Sequence, residues 1–220
     1  VAILKHTNPC GVGCADEVRD FLRWYAPFQL EDGQVPCAVD LRGIDRVPEH
    51  DSHGQLAWGV VEAYRLTGDR DFLRELWPHV LRAAAAIEAL RSRRTVDAYR
   101  DTPYIGLLPE SISHEGYSSR PVHSYWDDFF ALRGLTDAAD AAEVLGDAAT
   151  AADIAELRDA MRTDVHASIQ RAMQVHGIDF VPGSADLGDF DPTSTAIAFD
   201  PCDEADGLPA AALARTFDRY

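Results

Sequence analysis

Along most of this chain apolar residues recur at intervals of three and four, the spacing that lines one face of an α-helix. Residues 16–25 place Val18, Phe21, Leu22 and Tyr25 on one face. Over residues 51–67, Leu56, Val60, Val61, Tyr64 and Leu66 form the next stripe, with Asp51 or Ser52 as N-cap and Gly68 as the stop. A third helix is predicted over 71–91, where Pro78 fits the start of a new helical stretch or a kink. Two more follow over 124–145 and 150–175, ended by Gly146 and Gly177, and a last one begins near Pro209. Trp58 and Trp77 fall inside these periodicities and are assigned to the core.

The connections alternate in length. Helices are joined tightly at Gly68-Asp69-Arg70 and at Gly146-Asp147, whereas long segments occupy 27–50, 95–123 and 178–191. The two tight turns read alike, RLTGDRDFLREL against EVLGDAATAADIAEL, which marks an internal repeat. Repeated hairpins of this kind predict an all-α fold whose long loops meet at one end of a ring of paired helices. Residues 1–15 read as an N-terminal segment or linker, and 16–220 as one helical domain. The chain has no initiating Met and stops at Tyr220 within a helical pattern, so it reads as a fragment of something longer.

Charge narrows the partners. Asp and Glu number 37 against 20 Lys and Arg, a formal net charge of −17. Such a surface repels nucleic acid and anionic membrane and opposes phosphorylated substrates, so a neutral ligand fits best. Lys5 is the single lysine in a chain rich in Arg and Ala, which reflects codon usage more than chemistry. No run approaches the roughly 20 apolar residues of a membrane span. Cys10, Cys14, Cys37 and Cys202 give no standard zinc spacing, even with His6 beside the first pair, so neither metal nor cofactor is expected.

The chemistry concentrates in 106–130, GLLPESISHEGYSSRPVHSYWDDFF. A loop of that length between helices is costly to order unless it builds a site. It carries Glu110, Glu115, His114, His123, Tyr117, Tyr125, Trp126, Asp127 and Asp128. Carboxylates transfer protons, and flat aromatic faces suit a polar, weakly charged ligand such as a sugar. Asp127 and Asp128 also fall in the first turn of a helix, where carboxylates are stabilised by exposed N–H groups. His50 and His53, three apart, share a helix face if the helix includes them. Asp186, Asp189 and Asp191 offer oxygen ligands but no EF-hand spacing, and Asp191 before Pro192 reads as a cap.

Four segments carry a resemblance: EHDSHGQLAWGVVEAYRLTGDRDFLRELWPHVLRAA, GLLPESISHEGY, HSYWDDFFALRGL and DFDPTSTAIAF. They resemble the six-hairpin glycosidases, enzymes built as (α/α)6 toroids. The resemblance implies an all-α fold forming part of such a toroid, about three hairpins of six. It also implies a glycoside hydrolase whose site lies where the loops before the inner helices meet, around 49–53, 110–128 and 186–194. Two carboxyls would flank the scissile bond, about 6.5–9.5 Å apart if the reaction inverts. Glu115 is the preferred general acid, with Glu110 as its alternative, because His and aromatic neighbours tune it. Asp51 or Asp127 would serve as base or substrate ligand. His53, His114, Tyr117, His123, Trp126 and Asp128 complete the expected sugar contacts. The alternative is a carbohydrate-binding or scaffolding toroid without a competent carboxylate pair. A shorter likeness, LKHTNPCGVG, resembles the Lys-His motif of AICAR transformylase, the formyl-transferring enzyme of purine synthesis. It covers ten residues with no matching α/β body downstream, and is read as coincidence.

Overall fold

A computed structural model describes residues 2–5, 8–12, 15–113 and 116–220, with side chains from residue 16 onward. His6, Cys14 and the loop residues His114 and Glu115 lie outside what is described, as do the side chains of Lys5 and Cys10. The fold is all-α. In chain order it comprises a hairpin of β1 (Ala2–Lys5) and β2 (Asn8–Val12), then α1 (Ala15–Tyr25) and a second small hairpin of β3 (Val39–Asp40) and β4 (Gly43–Ile44). After these come α2 (Asp51–Thr67), α3 (Arg70–Ser92), α4 (Tyr125–Leu145), α5 (Ala148–His176), α6 (Pro192–Ala196) and α7 (Ala210–Asp218).

The helices predicted from periodicity are α1 to α5 and α7, with ends within two residues of expectation. The small strands and α6 carry no periodic signal. One local expectation is corrected: the N-cap of α2 is His50, whose side chain makes no cap bond, and Asp51 and Ser52 are already helical. Of the two roles expected of Pro78, the start of a new helix is excluded, because α3 runs continuously from Arg70 to Ser92.

The repeat seen in the sequence is a repeat of geometry. Gly68 and Gly146 end α2 and α4 in the left-handed conformation, at φ 70° and 90°. The Asp that follows each one caps the next helix: Asp69 accepts from Phe72 N at 3.0 Å and Asp147 from Thr150 N at 3.1 Å. A glycine free to turn left and a short acidic cap give the same αα corner twice. Asp147→Ala should therefore lower stability by about 1 kcal/mol, while Asp147→Ser retains most of it, as read from urea midpoints.

Helices α2 and α4 pack centrally, with α3 and α5 as their hairpin partners. They run parallel. Their starts meet where Trp126 Nε1 donates to Asp51 Oδ2 at 3.0 Å. Their ends meet where Arg65 reaches Asp137 at 2.6 Å and Asp140 at 2.7 Å. A side chain on Gly54 would lie 1.8 Å from the Phe130 carbonyl oxygen, so the two backbones touch near this point. Around the pair, Val60, Leu73, Ile87, Leu107, Phe129, Leu132, Leu135, Met161 and Ile169 are almost wholly buried. Trp58 and Trp77 pack against this core from its edge. Among the described residues no helix is long and apolar enough to cross a membrane.

Candidate functional site

Because α2 and α4 are parallel, the long segments preceding them arrive at the same end. Ile112 N donates to Pro48 O at 3.1 Å, tying the second long segment to the first. Ser111 and Val122 exchange two backbone bonds of 3.0 Å and close the intervening loop into a lobe. The 178–191 segment joins through Tyr125 N to Gly183 O at 3.1 Å and Ala185 N to His123 O at 3.0 Å. Tyr117 adds a side-chain tie, its hydroxyl donating to Asp189 at 2.7 Å. Segments far apart in sequence thus share one end of the helical array.

Beneath these loops lies a layer of buried carboxylates. Asp51, Asp127 and Asp128 are 2 %, 1 % and 0 % exposed. Asp51 is held by Gln55 Nε2 at 2.7 Å and by the Trp126 indole. Asp127 accepts from the hydroxyls of Ser111 and Ser113 and from His50 N. Burial raises its pKa and the Asp51 charge adds to this, while those donors partly offset both. Asp128 accepts from Leu108 N at 3.0 Å through Oδ1, while Oδ2 has no hydrogen-bond partner. Burial holds Asp128 well above the usual carboxylate range, against the opposing pull of the Leu108 bond. These side chains fix the GLLPES segment and the heads of the helices, and they face protein.

A pH effect follows from Asp128. In the unfolded chain a carboxyl titrates near 3.9, so below that pH both states are protonated and burial carries no ionisation penalty. As pH rises toward the higher folded value, the unfolded state alone releases the proton and the fold loses stability. Asp128→Asn keeps an acceptor for Leu108 N but cannot ionise. Its stability relative to wild type should rise over the range from about pH 3.9 upward in urea titrations. A difference that stays flat across that range would show that Asp128 is not buried in the neutral form.

Glu110 is different, with 45 % of its side chain exposed at the lobe. Arg94 pairs with its Oε2, and His123 Nε2 stands 3.8 Å from Oε1. Partial burial opposes ionisation, yet its own backbone N–H and the Arg94 guanidinium outweigh this and hold the carboxyl below its usual value. Such a group is ionised near pH 7 and has no proton to donate there. His123 is buried, and both ring nitrogens are engaged within the protein: Nε2 accepts from Arg94 Nε at 2.9 Å and Nδ1 lies 3.0 Å from Asp186. Tyr104 stacks on the imidazole with ring centres 4.4 Å apart.

The remaining candidates are placed as follows. His53 is buried, edge-on to His50 at 5.9 Å, and burial lowers the His50 pKa to about 4, so His50 is neutral near pH 7. Trp126 is half-buried, turned edge-on to Phe130 with its indole N–H on Asp51. Tyr117 is buried against the 178–191 segment. Asp186 serves His123, Asp189 serves Tyr117 and Ser184, and Asp191 caps α6 through Thr193 N and Ser194 N. Among the described residues no group of His, Cys, Asp and Glu is arranged to hold a metal ion. Sequence reasoning missed Arg94, Tyr104, Ser111 and Ser113. Only the serines had a legible signal, the alternating Ser-Ile-Ser that follows Glu110 and precedes the acidic pair. Comparison of the chain with known protein families and with curated proteins finds no match.

Proposed function

We propose that this chain is part of a glycoside hydrolase-like (α/α)6 toroid acting on a neutral carbohydrate. The observation that carries the reading is Glu110: an ionised, half-exposed carboxylate at the end where the long segments meet. Aromatic surface stands close by, with Tyr104 against His123 and Tyr99 beneath Arg94. The −17 charge favours a neutral ligand over nucleic acid or phosphorylated sugar. In this reading the oxygen of a water molecule bonds to the anomeric carbon as its proton passes to Glu110. The bond to the leaving oxygen breaks as that oxygen takes a proton from Glu115, the acid the sequence favours. The buried Asp51, Asp127 and Asp128 hold the loops instead of touching the sugar.

The test is hydrolysis of neutral oligosaccharides and aryl glycosides by the protein, with the product anomer followed by NMR. Release of one anomer at a rate well above background supports the reading. A second reading, a non-catalytic carbohydrate-binding module, draws on the inward-facing Asp51, Asp127 and Asp128. Sugar binding by calorimetry without any cleavage would select it. Salt-sensitive binding to nucleic acid without sugar binding would sink both.

A further inference from the structure

Arg94 stands two residues past α3, and its guanidinium is committed on three sides. Nη2 donates to Glu110 Oε2, Nε donates to His123 Nε2 at 2.9 Å, and the Tyr99 ring lies 4.8 Å beneath its centre. His123 is fixed in turn, because Asp186 accepts its backbone N–H at 2.7 Å and lies 3.0 Å from Nδ1. Since Nε2 accepts from Arg94, the imidazole proton belongs on Nδ1, facing Asp186. The side chains of Arg94 and His123 are 11 % and 2 % exposed, whereas Glu110 is 45 % exposed. A surface arginine ordinarily samples many rotamers around an exposed carboxylate. Here a buried histidine leaves it one, and its planar fork holds one oxygen of Glu110 while Oε1 stays beyond hydrogen-bond range of His123.

We propose that Arg94, braced by His123 and Asp186, is a positioning residue that aims the Glu110 carboxylate at the sugar so that it takes the proton of the attacking water. This rests on the glycosidase reading above. The groups that face Glu110 are Arg94 just after α3, His123 just before α4, and its own backbone N–H. His50, Tyr104 and Asp186 stand in the next layer. Arg94 is the permanent cation that touches it, so Arg94 sets both its direction and its ionisation.

The experiment compares wild type, Arg94→Met and Arg94→Lys, with folding checked by circular dichroism. Two readouts are taken: the carbon-13 titration of the Glu110 carboxyl, and the pH profile of kcat/KM on an aryl glycoside. Arg94→Met should move the Glu110 midpoint upward, move the acidic limb of the profile with it, and lower kcat tenfold or more, on the order expected for a misaligned base. Arg94→Lys retains a cation but not the fork to His123, so it should keep the acidic limb near wild type while kcat still falls. If Arg94→Met fails to fold, the Arg94→Lys split between limb and kcat decides the matter. An active wild type whose Glu110 midpoint or acidic limb is unmoved by Arg94→Met overturns the positioning role. A wild type that binds sugar but cleaves no glycoside overturns the hydrolase reading and the base role with it, whatever the titration shows.

Discussion

Glu110→Gln should lower glycoside hydrolysis by a factor of about a hundred or more while leaving the fold intact. The side chain is half in solvent and bonds the protein chiefly through Arg94, so an amide of the same size keeps the shape and an acceptor for Arg94. What it loses is the charge that accepts a proton. A structural brace would behave otherwise, since losing one exposed ion pair changes stability by only about 0–1 kcal/mol. The comparison with Glu115→Gln separates the roles. An acid is needed less when the leaving group is activated, so Glu115→Gln should be partly spared on an aryl glycoside with a good leaving group. Glu110→Gln should be equally harmful on poor and good leaving groups. Full activity of Glu110→Gln in a cleaving protein would remove Glu110 from the chemistry.

The scaffold was far more legible than the site, for a physical reason. Helix periodicity, left-handed glycines and Asp caps are local, and each was readable from a few consecutive residues: Gly68-Asp69 and Gly146-Asp147 make the same corner because they hold the same two devices. The meeting of the long segments at one end followed from parallel hairpins alone. Which carboxylates point outward did not. Asp51, Asp127 and Glu110 look equivalent in sequence, all acidic and all near helix starts or loops. Their difference comes from Ser111, Ser113, Gln55 and Trp126, which close over the first two, and from Arg94 and His123, which hold the third at the surface. Arg94 lies sixteen residues before Glu110 and Asp186 sixty-three after His123, separations that no short motif reports. The β3–β4 hairpin and α6 were missed because two- and five-residue elements show no period.

Gly54→Ala should destabilise the protein by about 3 kcal/mol, the upper end of what overpacking costs in a core that cannot yield. Its Cβ would fall 1.8 Å from the Phe130 carbonyl oxygen and 2.9 Å from Ala131 N, and backbone cannot rotate away as a side chain does. From the other helix, a Cβ on Gly134 would come within 2.5 Å of Gly54 Cα, so Gly134→Ala presses on the same contact. The two substitutions should be less than additive, because the first already forces α2 and α4 apart. Gly68→Ala is the control: its φ of 70° penalises a side chain by about 1 kcal/mol, but nothing lies within 4 Å of the added methyl. Urea midpoints order the three variants. The consequence for the site is separable from stability. Helices α2 and α4 carry Asp51 and Trp126 at their heads, and the bond between those residues needs the close crossing a few residues below. In Gly54→Ala that remains folded, Trp126 should be released from Asp51 and give a changed indole signal in NMR, while Gly68→Ala leaves it unmoved. An unchanged Trp126 signal and a loss no larger than that of Gly68→Ala would mean that the two helices can part without disturbing the loops above them.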